Sequence, residues 1–233
     1  PNIIPVYELG RGSDGSPFFT MRRMQGRSLA MVLTQRRADD EPTQAEFGRL
    51  RLLNVFVQIC MAVEFAHSRG VVHRDIKPGN ILLGSGKDLR PSIKLTDFGL
   101  ARALGSHDRP GTGMRIVGTP DYMAPEQIEG LWRDQGPWTD LYAIGCVAYE
   151  LAAGRPPFSG NSNRAVAAAH LSTPVPPLTS LSPVPQGFEA WLGRMLAKDG
   201  HARFRCAADA AHGLDQLSDD RGLGRVARMG GQR

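Results

Sequence analysis

His73-Arg74-Asp75-Ile76-Lys77-Pro78-Gly79-Asn80 is the stretch on which the reading of this chain turns. It sets a carboxylate, an ammonium and a carboxamide close together. Two further segments follow in order: Thr96-Asp97-Phe98-Gly99, then Gly118-Thr119-Pro120-Asp121-Tyr122-Met123-Ala124-Pro125-Glu126. Taken singly, Asp75 reads as a salt-bridged loop carboxylate and Asp97 as a turn-former. The information lies in the three segments together, in this order.

On the N-terminal side, Ile3, Ile4, Val6 and Tyr7 form an apolar run. Gly10, Gly12 and Gly15 follow as a turn, and Phe18 to Met21 form a second run, which predicts a β-hairpin. The Gly10-x-Gly12 pair has no helical pattern behind it and reads as a turn, not a nucleotide loop. Past Gly26 the pattern becomes helical. Thr43-Gln44-Ala45-Glu46 matches a capping box. Leu50, Leu53, Val57, Met61 and Phe65 recur at steps of three and four and mark one face of a long helix, closed by Gly70. Ile81 to Leu83 and Ile93 to Leu95 read as short strands, and 97–126 as a long loop. Trp138 to Ala153 is apolar nearly all round, as a buried central helix is. Further helices are predicted at Asn163 to Leu171, Phe188 to Ala197 and Ala207 to Leu217, with the proline-rich 174–185 irregular between them. The residues after Ser218 read as a basic, mobile tail.

Composition narrows the class. The 233 residues are 41% hydrophobic and 22% charged, enough for one domain or slightly more with a real core. Cys60, Cys146 and Cys206 are too few and scattered for a disulfide framework or a zinc site, which points to a reducing compartment. The net charge is +5, but 221–233 holds four arginines and no acid, so the folded part lacks a basic face and nucleic-acid binding is not expected. No leader pattern opens the chain. Its longest mainly apolar run, Leu141 to Ala153, carries Glu150 and is too short to span a bilayer, so no membrane segment is expected.

The three ordered segments resemble the eukaryotic-type Ser/Thr protein kinases, above all their bacterial members, from the first residue to about Leu217. The resemblance implies an α+β, protein-kinase-like fold. Its parts would be a small-lobe remnant and hinge (1–24), a mostly helical large lobe (25–217) and the tail (218–233). It implies ATP and magnesium as cofactors, and transfer of the γ-phosphoryl group to Ser or Thr hydroxyls of protein substrates. Autophosphorylation and a cytoplasmic location, alone or as the cytoplasmic domain of a longer protein, are further expectations. By resemblance Asp75 is the base that orients the hydroxyl and accepts its proton. Lys77 is the cation beside the transferring group. Asn80 and Asp97 are hard-oxygen ligands for magnesium. Thr119 ties the catalytic pair to the substrate loop. Met21 resembles the gatekeeper, Arg22 to Met24 the strand whose backbone meets adenine, and Val6 and Leu82 core residues beside the nucleotide. Arg74 resembles the arginine that pairs with a phosphorylated activation loop, with Ser106 and Thr112 as the acceptors. His73 and Phe98 resemble packing residues, Gly99 a sharp turn and Asp140 the buried brace of the catalytic loop. Arg203 resembles the partner of Glu126.

Departures accompany the match. The first lysine is Lys77, so the family's strand lysine ahead of the hinge has no counterpart in 1–76, nor has its glycine-rich phosphate cover. A chain cut at its front and a naturally shortened, inactive relative both fit; the intact Asp75, Lys77, Asn80 and Asp97 favour the first. On its own the chain is expected to bind ATP weakly and turn over poorly. Phe204 stands where proline commonly follows the arginine, and Gly79 where kinases of basic peptides carry Glu. A pseudokinase-like interaction module and a small-molecule phosphotransferase are the rival classes.

Overall fold

A computed structural model of the chain describes residues 2–23, 26–38, 40–84, 93–98 and 120–219. The predicted hairpin forms from β1 (Val6–Arg11) and β2 (Pro17–Met21), antiparallel with Leu9 opposite Phe19. The Gly12 N–H to Ser16 carbonyl bond, 2.7 Å, closes its turn. The Asp14 carboxylate stiffens it, accepting from the Ser16 N–H at 2.9 Å and its hydroxyl at 2.7 Å. A second sheet runs in the order β3 (Gly26–Ser28), β4 (Ile81–Gly84), β5 (Ile93–Leu95), all antiparallel. Ile3 and Ile4 lie along β5, through an Ile4 N–H to Leu95 carbonyl bond of 3.0 Å.

The helices are α1 (Leu29–Arg37), α2 (Glu41–Glu46), α3 (Arg49–His67), α4 (Pro125–Ile128), α5 (Pro137–Ala153), α6 (Asn163–Ser172), α7 (Phe188–Met195) and α8 (Ala207–Asp219). Ser28 starts α1 by accepting from the Met31 N–H at 3.3 Å. The Glu64 carboxylate of α3 meets the N-terminus of α8, accepting from the Ala207 and Ala208 N–H groups at 2.9 and 3.2 Å. As its composition predicted, α5 is the central helix, with Leu141, Tyr142, Ile144, Val147 and Tyr149 fully buried. α3 and α7 pack on it and α8 packs on both of those; at their junction Phe56 meets the Trp191 ring edge-on and Phe188 stacks on it. The α+β fold class expected from sequence is the one observed.

Four local expectations are corrected. The capping box at Thr43 is not formed: Asp40 is the N-cap, its carboxylate accepting from the Thr43 N–H at 3.1 Å, so Thr43 lies inside α2. Glu46 is instead drawn to Arg27 and Arg51, and α3 begins separately after Gly48. The predicted face of α3 is the outer one. Leu50, Met61 and Phe65 are exposed, while Leu52, Val55, Phe56, Ile59, Cys60 and Val63 enter the core. Both stripes satisfy the same periodicity, and only contact with α5 and α8 chooses between them. By length and composition Leu50–His67 would also pass for a membrane span, although the longest apolar run had been placed at Leu141 to Ala153. Its inner face is the core just described. Finally, 22–23 are irregular rather than strand.

Candidate active site

The catalytic loop follows α3 directly. The Gly70 φ of +72° ends that helix, and Pro78–Asn80 form a single 3-10 turn before β4. Asp75, Lys77 and Asn80 converge. The Lys77 ammonium donates to both Asp75 carboxylate oxygens, at 3.1 Å to Oδ1 and 2.9 Å to Oδ2. Asn80 Nδ2 donates to the Asp75 carbonyl at 2.8 Å and to Oδ2 at 2.9 Å. The Asp75 and Lys77 side chains remain 46% and 42% exposed, so the acid faces solvent while its supports are buried.

Those supports come from three distant elements. Asp140, fully buried on the first turn of α5, accepts the His73 N–H at Oδ2 (2.8 Å) and the Arg74 N–H at Oδ1 (2.7 Å). These two bonds hold Arg74 at φ +64°, a left-handed conformation that non-glycine residues seldom adopt. His67, at the end of α3, donates Nε2–H to the same Asp140 Oδ2 at 2.8 Å. Gln127 of α4 donates Nε2–H to the Arg74 carbonyl at 2.9 Å. Burial lowers the His73 pKa more than Asp140 and Asp75 raise it, so the ring is neutral. Its Nδ1 accepts the Asp75 N–H at 3.3 Å. Phe98 lies against it with centroids 4.3 Å apart and the rings tilted by 33°.

Asp97 reaches the same place through β5. The Thr96 N–H donates to the Asn80 carbonyl at 3.1 Å, which sets the two loops side by side. Asp97 has φ +61° and is exposed, and its Oδ1 accepts from the Thr96 hydroxyl at 3.2 Å. That hydroxyl also lies 3.4 Å from Met21 Sδ, which ties the hairpin to the site. The donor set fits magnesium. With Nδ2 committed to Asp75, Asn80 Oδ1 has no partner among the described residues, and the Asp97 carboxylate adds a second hard oxygen nearby.

A second buried centre lies behind the site. Glu126 receives Arg203 Nη1 at 2.8 Å and Nη2 at 3.0 Å, as well as the Thr139 hydroxyl at 2.8 Å. Glu150 of α5 accepts from Arg37 of α1 and from the Tyr122 hydroxyl. Burial nevertheless raises the Glu150 pKa beyond what these two partners lower it.

Of the other expected residues, Leu82 is half-buried on β4 and Arg22 is exposed. Val6 is 42% exposed on the hairpin and does not pack in the core; its neighbours in β1 are exposed too. The Arg74 side chain is exposed. Met24, Gly99, Ser106, Thr112 and Thr119 lie outside the described residues. His67 and Gln127 hold the catalytic loop, and Thr139, Glu150 and Tyr122 belong to the centre behind it, without having been singled out. Gln127 directly follows the Ala124-Pro125-Glu126 motif and Thr139 precedes Asp140, which was the available signal.

The family model described as protein kinase domain matches residues 1–213. A probable serine/threonine-protein kinase PknB of Corynebacterium glutamicum is 34% identical over 226 residues, covering 93% of this chain and 33% of that protein. The serine/threonine-protein kinase PknB of Mycolicibacterium smegmatis is 32% identical over 214 residues, covering 90% and 32% respectively. The chain thus spans about a third of the length of these relatives. A crystal structure of the Mycobacterium tuberculosis PknI kinase domain, a double mutant, shares the fold at a TM-score of 0.61 and 23% identity, over 94% of this chain and 72% of that one. With the family model matching residues 1–213, the chain belongs to the protein kinase domain family.

Proposed function

We propose that this domain transfers the γ-phosphoryl group of ATP to serine or threonine hydroxyls of proteins. The observation that carries the reading is the convergence of Lys77 and Asn80 on the Asp75 carboxylate, with Asp97 set beside Asn80. Asp75 orients the acceptor hydroxyl and takes its proton. A positioned base of this kind is worth about 10² to 10⁴ in rate. Lys77, now on Asp75, would serve the transferred group, where an ammonium offsets developing negative charge. Asn80 Oδ1 and the Asp97 carboxylate would hold magnesium, whose chemistry when bound is to neutralise phosphate charge. Met21, Arg22 and Met24 would line the adenine side, Leu82 the floor, and Val6 only the outer rim. Thr119 would link catalytic loop and peptide, and Arg74 would receive a phosphate on Ser106 or Thr112.

Labelled terminal phosphate tests the reading in the polypeptide that carries this domain. Label is expected on Ser or Thr of protein substrates, and Asp75→Asn lowers its appearance at least a hundredfold while the thermal midpoint holds. Full activity in that variant would remove Asp75 from its role. Partner binding with no transfer under any condition would make the domain an interaction module.

A further inference from the structure

Asp75 stands between two peptide units, and side chains hold both. Asn80 Nδ2 donates to the carbonyl of the unit that follows Asp75, at 2.8 Å. The unit that precedes it carries the Arg74 carbonyl and the Asp75 N–H. That N–H reaches His73 Nδ1 only at 3.3 Å, whereas the carbonyl takes Gln127 Nε2–H at 2.9 Å, so Gln127 is the tighter hold on this plane. The hold acts against strain. Arg74 lies at φ +64°, and Asp140 fixes only its N–H side, at 2.7 Å.

Gln127 is itself fixed at its other end. It is buried, 7% exposed. Its Oε1 accepts the Ala124 N–H at 3.1 Å, as the reaching-back half of a capping box does, and Ala124 has no polar side chain to cap α4. Together the two bonds leave the carboxamide one orientation. The reversed amide would set oxygen against the Arg74 carbonyl and NH2 against the Ala124 N–H. Ala124 closes the segment whose 3-10 turn, Pro120–Tyr122, is anchored by the Tyr122 hydroxyl on Glu150. A single buried carboxamide thus joins 120–124 to the peptide that directs Asp75.

We infer that Gln127 is a positioning residue for phosphoryl transfer: through the Arg74 carbonyl it sets the direction of the Asp75 carboxylate and ties that direction to the placement of 120–124. The kinetic consequence rests on the phosphoryl-transfer reading; the backbone geometry does not. Neither acid beside it can take its place. Glu126 is committed to Arg203 and Thr139, Asp140 to the His73 and Arg74 N–H groups, and a carboxylate has no hydrogen to give a carbonyl.

Two variants test this in the polypeptide that carries the domain. Gln127→Met keeps the length and removes both bonds. Gln127→Glu keeps both while protonated, one oxygen accepting the Ala124 N–H and the O–H donating to the Arg74 carbonyl; once ionised it turns a carboxylate on that carbonyl. Burial raises a carboxyl pKa, which places the change at about pH 6 to 8. Gln127→Met is expected to lower kcat about tenfold or more after correction for the folded fraction, with the KM for ATP unchanged. For Gln127→Glu, kcat relative to the unaltered chain is near full at about pH 6 and falls about tenfold by about pH 8. Amide hydrogen exchange reads the geometry without turnover. The Asp75 N–H exchanges faster in Gln127→Met, while the Arg74 N–H, held by Asp140, does not. Where Gln127→Met does not fold, Gln127→Glu at low pH retains both bonds and carries the test. A kcat that only follows the folded fraction, a pH-independent Gln127→Glu ratio, or unchanged Asp75 exchange would overturn the inference. No label from the unaltered chain, with faster Asp75 exchange in Gln127→Met, would instead remove the phosphoryl-transfer reading and leave Gln127 as the holder of the Asp75 peptide.

Discussion

Arg203 and Glu126 meet as a two-pronged ion pair, Nη1 to Oε1 at 2.8 Å and Nη2 to Oε2 at 3.0 Å, with none of the Arg203 side chain exposed. Arg203 also donates to the Trp138, Ala197 and Lys198 carbonyls at 2.8, 2.8 and 3.2 Å, and lies over the Tyr142 ring at 4.8 Å. Every donor is used, so the pair is a fully satisfied buried charge centre joining α4, α5 and the turn before α8. Breaking a pair of this kind by removing one member typically costs about 3 to 5 kcal/mol. Arg203→Met is expected to lower stability by that order, and Arg203→Lys to recover only part, because an ammonium cannot bridge both oxygens. Urea unfolding measures both.

Asp140 positions the catalytic loop through two backbone N–H bonds and the His67 ring. Asp140→Asn keeps the shape but turns one of those acceptors into a donor. A stability loss of about 1 to 3 kcal/mol is expected. Phosphoryl transfer should fall well beyond what the folded fraction explains, because Arg74 is no longer held at positive φ. A rate that merely follows the folded fraction would make Asp140 a stability residue alone.

His170 makes stability acid-sensitive. Burial, and then Lys198, push its pKa down to about 4 from 6.5, and the neutral ring lies 2.9 Å from the Tyr142 hydroxyl. Between these two pH values the unfolded chain binds a proton that the folded chain refuses, so the contribution is whole above pH 6.5 and lost as pH falls toward 4. The span corresponds to about 3 kcal/mol. His170→Gln should flatten that part of the stability curve, seen as the difference between the two chains' urea midpoints across pH.

Gly26 begins β3 at φ +147°, and a Cβ there would lie 2.2 Å from the Leu83 carbonyl oxygen. Gly26→Ala must therefore push β3 off β4. A loss of about 1 to 3 kcal/mol is expected from combined clash and strain. Nucleotide binding should weaken with it, since β3 follows the hinge. Unchanged thermal midpoints would show that the strand end moves without cost.

Much of this was legible in the residues. The hairpin, both short strands, the buried α5 and the α7 helix came from local patterns, because turn glycines and runs of apolar residues are properties of a few neighbouring residues. The orientation of α3 was not legible. Its helix is apolar on more than one stripe, and the exposed Leu50, Met61 and Phe65 match the period as well as the buried Leu52, Phe56 and Ile59. The start of α2 was misread for a similar reason. Asp40 and Thr43 are both good caps, and which one caps depends on where Glu46 finds its arginines.

The eight residues from His73 to Asn80 determined by themselves that acid, cation and carboxamide would be neighbours, because covalent proximity leaves them little choice. No local pattern ties Asp140, 66 and 67 residues away, to that loop, or Arg203 to Glu126, 77 residues off; resemblance suggested both pairings, and only the tertiary structure makes the contacts. Contacts over such separations depend on helix packing, and buried charges are tolerated only where packing brings every partner within hydrogen-bond reach.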